Sequence, residues 1–225
     1  MAINAAEEET VESLKQWWAE NGKQLTILVV AGFVAFTSWL VWTNSQNANV
    51  DRASDMYEEI LALAITDAGQ PGTLPIPEDS ERIIELGAQL RSDHNASTYA
   101  KLGSLFAAQQ SVHNDDLDAA EISLQWILDN EQGGLLNEAD EGLLLTTNLR
   151  LGRIILAKGD AERALALVNN IDPKTFEAGY SELRGDIYTA MGRDVDARDA
   201  YIAAQEAGSS SEGLRMKLDE LSNES

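Results

Sequence analysis

Apolar residues follow two patterns along this chain. From Leu25 to Thr43 they run with no charged residue and no proline between them. Elsewhere they recur at helical spacing between polar neighbours. As a helix the 25–43 run spans roughly 28 Å, close to the ~30 Å hydrocarbon core of a bilayer. Only a helix or a closed barrel carries its backbone polar groups through lipid. Trp17 and Trp18 precede the run, and Trp39 and Trp42 close it, as interface-seeking rings do. A buried core helix and a cleaved signal peptide are the alternatives. The run exceeds a signal h-region, and Gln46 and Asn49 spoil a small-x-small cleavage site at Ala48. The pattern predicts one retained transmembrane helix over 25–43, a short tail over 1–24 and a soluble domain over 44–225.

In the tail, residues 1–9 read as irregular. Thr10 can cap a short helix whose Val11, Leu14 and Trp18 form one stripe, and Asn21-Gly22 reads as its stop. Residues 44–49 read as a polar connector. From Asp51 a soluble helix places Met56, Ile60, Leu63 and Ala64 on one face and ends near Thr66. Three of the four prolines break the stretch 69–77. Helix resumes from Glu81 to Arg91, pauses at 93–96 and restarts near Ser97. An irregular stretch at 133–141 precedes a helix beginning near Gly142. Ser211 can cap a last helix whose Leu214, Leu218 and Leu221 share a face.

Between these landmarks the chain repeats. Sliding Leu149–Ile171 over Glu182–Ala204 by 33 residues superposes Gly152 on Gly185, Ile155 on Tyr188, Gly159 on Gly192, Ala164 on Ala197, Val168 on Tyr201 and Ile171 on Ala204. A looser copy carries Leu102-Gly103, Phe106, Ala120 and Leu124, with a hairpin loop around His113–Asp116 about five residues longer. Each unit reads as two antiparallel helices. The first glycine and the later alanine let them approach, the second glycine makes the turn, and the bulky positions fill the core. One pair cannot bury its apolar face, so pairs stack. A period near 34 is that of tetratricopeptide repeats. The fold expected is all-α: a single membrane helix followed by a tetratricopeptide-like solenoid of helical hairpins, with the last helix covering its open end.

Charge then limits the partners. The chain carries 16 basic and 38 acidic residues, a net charge of −22. The tail holds two lysines against five glutamates, and 14 basic residues face 33 acidic ones after the apolar run. A domain this acidic is drawn neither to nucleic acid nor to anionic headgroups. Lys15 and Lys23 precede the run, and the first basic residue after it is Arg52, so the positive-inside rule puts the tail in the cytoplasm. There is no cysteine, which excludes disulfides, thiolate nucleophiles and thiolate metal sites.

Catalytic signatures are missing: no nucleophile elbow, P-loop or dinucleotide fingerprint occurs. His94 and His113 lack the spacing of a helical metal pair. Asp115, Asp116, Asp118 and Glu121 lack the central glycine of a calcium loop and read as a helix N-terminus favoured by negative charge. Asn95-Ala96-Ser97 and Asn223-Glu224-Ser225 match the frequent glycosylation triplet. No cofactor, metal or enzyme activity is expected. In the apolar run, Ala31, Ala35 and Ser38 form a small-residue stripe of the kind that lets membrane helices meet closely.

The tail segment Val11-Glu12-Ser13-Leu14-Lys15-Gln16-Trp17-Trp18-Ala19-Glu20-Asn21-Gly22-Lys23 resembles the signature of the YfgM family, ancillary subunits of the bacterial SecYEG translocon. Asn148-Leu149-Arg150-Leu151, Leu183-Arg184-Gly185-Asp186 and the ending Met216–Ser222 are also similar to it. The resemblance implies a single-pass type II inner-membrane protein of a Gram-negative cell, with a periplasmic tetratricopeptide-like domain. Its implied partners are the SecYEG translocon, a PpiD-like membrane-anchored chaperone and unfolded periplasmic clients. Its implied role is a chaperone assisting secreted proteins. A scaffold of another envelope complex, with no client binding, is the alternative.

Overall fold

The computed structural model describes residues 2–65, 75–131 and 140–223. Among them every regular element is helical. These are α1 (Ala2–Ile65), α2 (Pro77–Asp93), α3 (Thr98–His113), α4 (Leu117–Asp129), α5 (Glu141–Ala157), α6 (Ala161–Asn169), α7 (Glu177–Ala190), α8 (Asp194–Glu206) and α9 (Glu212–Asn223), with a 3₁₀ turn at Lys174–Phe176. The chain divides into two compact units, Met1–Asp51 and Arg52–Ser225.

The first unit lies on α1. Its side chains from Val30 to Leu40 are all exposed, Phe33, Val34, Phe36, Trp39 and Leu40 among them. The Thr37 hydroxyl donates back to the carbonyls of Phe33 and Val34, both at 3.0 Å, so the one branched hydroxyl of this stretch is satisfied within the helix. Among the described residues no helix is long and apolar enough to cross a membrane. The run 25–43 expected to do so includes residues 25–27, 29 and 41–43, whose side chains lie outside the described ones.

Three local expectations for α1 are corrected. Residues 2–9 are helical rather than irregular, and neither Asn21-Gly22 nor the connector 44–49 interrupts α1. None of these segments contains proline, and an internal glycine or asparagine costs only about 1 kcal/mol or less. Continuing a helix also needs no second nucleation. The breaker stretch 69–77 falls mostly outside the described residues, and most of 133–141 does too. Where description resumes, Pro77 occupies the first turn of α2, four residues before the expected start at Glu81, because proline's fixed φ suits that position.

In the second unit each helix packs on the next in the chain from α2 to α9, and α5 also touches α7. α3/α4, α5/α6 and α7/α8 are hairpins. In the turn after α5, Gly159 takes φ +87°, and after α7 Gly192 takes +68°. Their turns close alike: the Asp160 amide donates to Ile155 O at 3.2 Å, and Arg193 to Tyr188 O at 2.8 Å. The shift of 33 therefore holds at the two turns. The first hairpin closes the same way, Asp116 N donating to Ser111 O at 2.8 Å, with Asp115 at φ 59° standing where the others have glycine. This corrects the looser copy. Its loop is no longer than the others, and Ala108, not Gly103, matches Gly152. The glycine in Leu102-Gly103 suggested a register that the turn hydrogen bonds overrule.

Side chains cap the helices as their sequences indicate. The Ala119 amide donates to Asp116 (2.9 Å), Leu143 to Asp140 (3.0 Å), Arg163 to Asp160 (3.1 Å), and Leu214 to the expected cap Ser211 (3.1 Å). The largest buried cluster runs from α3 to α7 through Leu124, Ile127, Leu151, Ile155, Val168 and Leu183. A second joins Ala53 and Ile60 of α1 to α2 and α3. A third places Leu214, Leu218 and Leu221 of α9 over Ala197, Tyr201 and Ala204 of α8, so α9 closes the end of the stack.

Candidate functional site

Several of the glycines lie where helices touch. A Cβ on Gly185 would sit 2.2 Å from the Tyr201 ring, so this glycine makes room for a tyrosine on the partner helix. A Cβ on Gly152 would meet Leu183 of α7 at 2.8 Å and Val168 of α6 at 3.5 Å, so it serves the junction between hairpins as well as its own. On Gly103 it would meet Leu90 of α2 at 2.7 Å and Ile60 of α1 at 3.3 Å. Gly103 thus packs toward the N-terminal end of the stack. Gly87 faces it from α2, an approach the sequence reading missed. Ala164 and Ala197 are fully buried, and Tyr188 carries the Arg193 guanidinium over its ring at 4.5 Å. Ala31, Ala35 and Ser38 are exposed on α1, in the first unit.

Polar groups tie the hairpins together. The buried Tyr180 hydroxyl donates to Leu145 O of α5 at 2.9 Å, and burial pushes its pKa up to about 12. The Tyr201 hydroxyl donates to Asp186 at 2.8 Å and lies 3.2 Å from the Thr189 hydroxyl, and burial pushes its pKa well above the ordinary value. Lys217 of α9 reaches Asp186 at 2.6 Å and Glu182 at 3.1 Å. Burial opposes its charge, but these carboxylates outweigh it and hold the ammonium pKa above its usual value.

The acidic group at 115–121 divides its work. Asp116 caps α4, and Glu121 accepts from Lys158 at 2.6 Å and from Arg163 at 2.5 Å. Lys158 also meets Asp118 at 2.5 Å. These pairs clamp α4 to the turn of the next hairpin, between α5 and α6, and the Lys158 and Arg163 hydrogen bonds hold Glu121 below its ordinary 4.5. Among the described residues no group of His, Asp and Glu could hold a metal. His94 ends α2, apart from His113 at the end of α3.

A cleft of about 370 Å³ opens between α3, α4 and α5. Ala108, Leu124 and Ile154 form its apolar floor, Leu124 only 1% and Ile154 7% exposed. Gln109, Val112 and His113 line one side, and Arg150 and Arg153 the other. Its described lining offers apolar surface with polar groups beside it, the make-up of a cleft that could bind a ligand. Sequence reasoning passed over it: His113 enters there only as half of a metal pair and as a hairpin-loop residue, and Arg150 only as part of a likeness. The available signal was the Arg-x-x-Arg spacing in a chain so poor in basic residues.

A tetratricopeptide repeat-like domain model matches residues 15–223. The chain is similar over nearly its whole length to proteins named ancillary SecYEG translocon subunit. The one from Escherichia coli K12 is 31% identical, covering 99% of this chain and all of that protein. The one from Haemophilus influenzae is 29% identical, covering 98% and all of it. The one from Neisseria gonorrhoeae is 26% identical, covering 98% and all of it. No solved structure matches.

Proposed function

The chain belongs to the tetratricopeptide repeat-like family of ancillary SecYEG translocon subunits, and from that premise we propose that it is an accessory, non-enzymatic subunit of the Sec translocon. The observation that carries this reading is the correspondence from end to end with relatives so named, tail and repeats together. Residues 25–43 anchor the chain in the inner membrane. In support, the described side chains from Val30 to Leu40 are apolar or small, all exposed, with Thr37 bonded to its own helix. Lys15 and Lys23 hold the tail in the cytoplasm, so the repeats lie in the periplasm.

The work divides between the two ends. A stack of hairpins presents extended surface without chemistry of its own, which suits contact with a PpiD-like chaperone or with emerging clients. The cleft over Leu124 and Ile154 favours a chaperone-type role over that of a plain scaffold in another envelope complex. Residues 10–43, with Ala31, Ala35 and Ser38 on the anchor, supply placement beside the translocon.

The test replaces residues 10–43 by an unrelated single-span anchor of the same orientation, followed by crosslinking in intact membranes. The expected outcome is loss of translocon crosslinks, with crosslinks of the repeats to chaperone and client retained. Translocon crosslinks at full yield would move the association to the repeats. No translocon crosslinks from the unaltered chain would overturn the accessory reading itself.

A further inference from the structure

We propose that the cleft between α3, α4 and α5 takes a short acidic peptide segment of a partner protein, with carboxylates on Arg150 and Arg153 and a neighbouring aliphatic side chain on the floor of Ala108, Leu124 and Ile154. This rests on reading the repeats as an interaction surface and adds the chemistry of what they hold.

Charge carries the argument. The chain has 16 basic residues against 38 acidic ones, so carboxylates outnumber the basic groups that could pair with them. Among the described residues Arg82, Lys158, Arg163, Lys174, Arg184, Arg193, Arg215 and Lys217 take one, while Arg52, Arg91, Lys101 and Arg198 take none; what sets Arg150 and Arg153 apart is that two such cations share one cleft. Arg150 and Arg153 line the same cleft, are both exposed, and form neither an ion pair nor a hydrogen bond among the described residues. Three residues apart on one helix, two like charges repel. The fold leaves that repulsion standing beside an apolar floor. A carboxylate arriving from outside relieves it, and a guanidinium fork matches a carboxylate in bidentate geometry.

The floor sets the second requirement. Leu124 and Ile154 are nearly buried, yet the space above them is open, and Val112 on the opposite wall is 41% exposed. An aliphatic side chain seated there removes apolar surface from water on both partners. Gln109 stands on the same wall with an amide able to hydrogen-bond an extended backbone. The net charge of −22 adds a limit on length. Beyond about 10 Å at 0.1 M salt the charges are screened, but a long polyanion tracks past the cleft onto acidic surface and is repelled. The fitting ligand therefore carries one or two carboxylates beside a leucine or isoleucine.

The experiment uses the full chain in detergent micelles. The probes are fluorescein-labelled Ala-Leu-Asp-Leu-Glu-Ala and its counterpart with lysine at both acidic positions, followed by anisotropy. Saturable binding of the acidic probe is expected, weakened roughly tenfold or more in R150E/R153E and less so in R150K/R153K. The neutral R150Q/R153Q, checked by helical circular dichroism, serves if charge reversal disturbs folding. The proposal is overturned by equal binding of the two probes, by unchanged affinity in R150Q/R153Q, or by no binding up to about 1 mM. It is also overturned if the arginines instead hold a second copy, seen as a concentration-dependent dimer that R150E/R153E dissociates. Translocon crosslinks of the unaltered chain are read separately. Their persistence with no probe binding sinks only the ligand assignment, and their loss sinks the accessory reading.

Discussion

Gly185 and Tyr201 are one decision made at two positions. The ring lies where a Cβ would stand, and its hydroxyl is held by Asp186 and Thr189, so it cannot swing aside freely. Gly185→Ala is expected to lower stability by about 1–3 kcal/mol, as overpacking does. A urea titration of the full chain in micelles measures it, and a wild-type midpoint would mean the ring has room to move. The turns give a contrast of opposite sign. Gly192 has positive φ and nothing within 4 Å of its missing Cβ, so Gly192→Ala meets backbone strain alone, on the order of 1–2 kcal/mol. Asp115 already bears such strain at φ 59°. Asp115→Gly relieves it, less the extra freedom glycine brings to the unfolded chain. The same titration is expected to show a gain of about 0.5–1 kcal/mol.

At the scale of elements, the join between α4 and the α5–α6 turn rests on Glu121. Its carboxylate is paired with Lys158 and Arg163, and its pKa lies below the ordinary 4.5. A depressed carboxylate stabilises the fold above its unfolded pKa and loses that contribution as pH falls through the folded value. The melting temperature is therefore expected to drop as pH is lowered through and below about 4.5. Glu121→Gln is expected to melt lower than wild type at pH 7 and to show a shallower acid decline. Parallel acid declines would assign the effect to other carboxylates. Asp118, far more exposed, adds little beside it.

For the whole molecule, net charge and the placement of lysines argue one arrangement. The acidic repeats gain nothing from anionic lipid, so the proposed placement at the membrane rests on the proposed anchor over 25–43 and on protein partners. Protease added to spheroplasts is expected to digest the repeats and spare residues 1–24, as an immunoblot with antibodies to each end reads out. Full protection of the repeats would reverse the topology.

The sequence by itself determined the helical class, the apolar run and the shift of 33, because each depends on spacing along one chain. Glycine, alanine and bulky residues recurring together fix where the α5/α6 and α7/α8 hairpins turn, and Ser211 with Leu214, Leu218 and Leu221 marks the closing helix. Only the tertiary structure decided what each small residue faces. Gly103 looked like the counterpart of Gly152 in sequence, yet it meets Leu90 and Ile60, because the turn bonds through Asp116 and Ser111 set the register five residues away. The cleft was equally out of reach. Arg150 and Arg153 lie far along the chain from Gln109 and His113, and only the packing of both α3 and α5 on α4 brings them to one cleft. Whether a basic residue finds a carboxylate is likewise a matter of neighbours in space: Lys158 reaches back 40 residues to Asp118, and two arginines on the same helix reach nothing among the described residues.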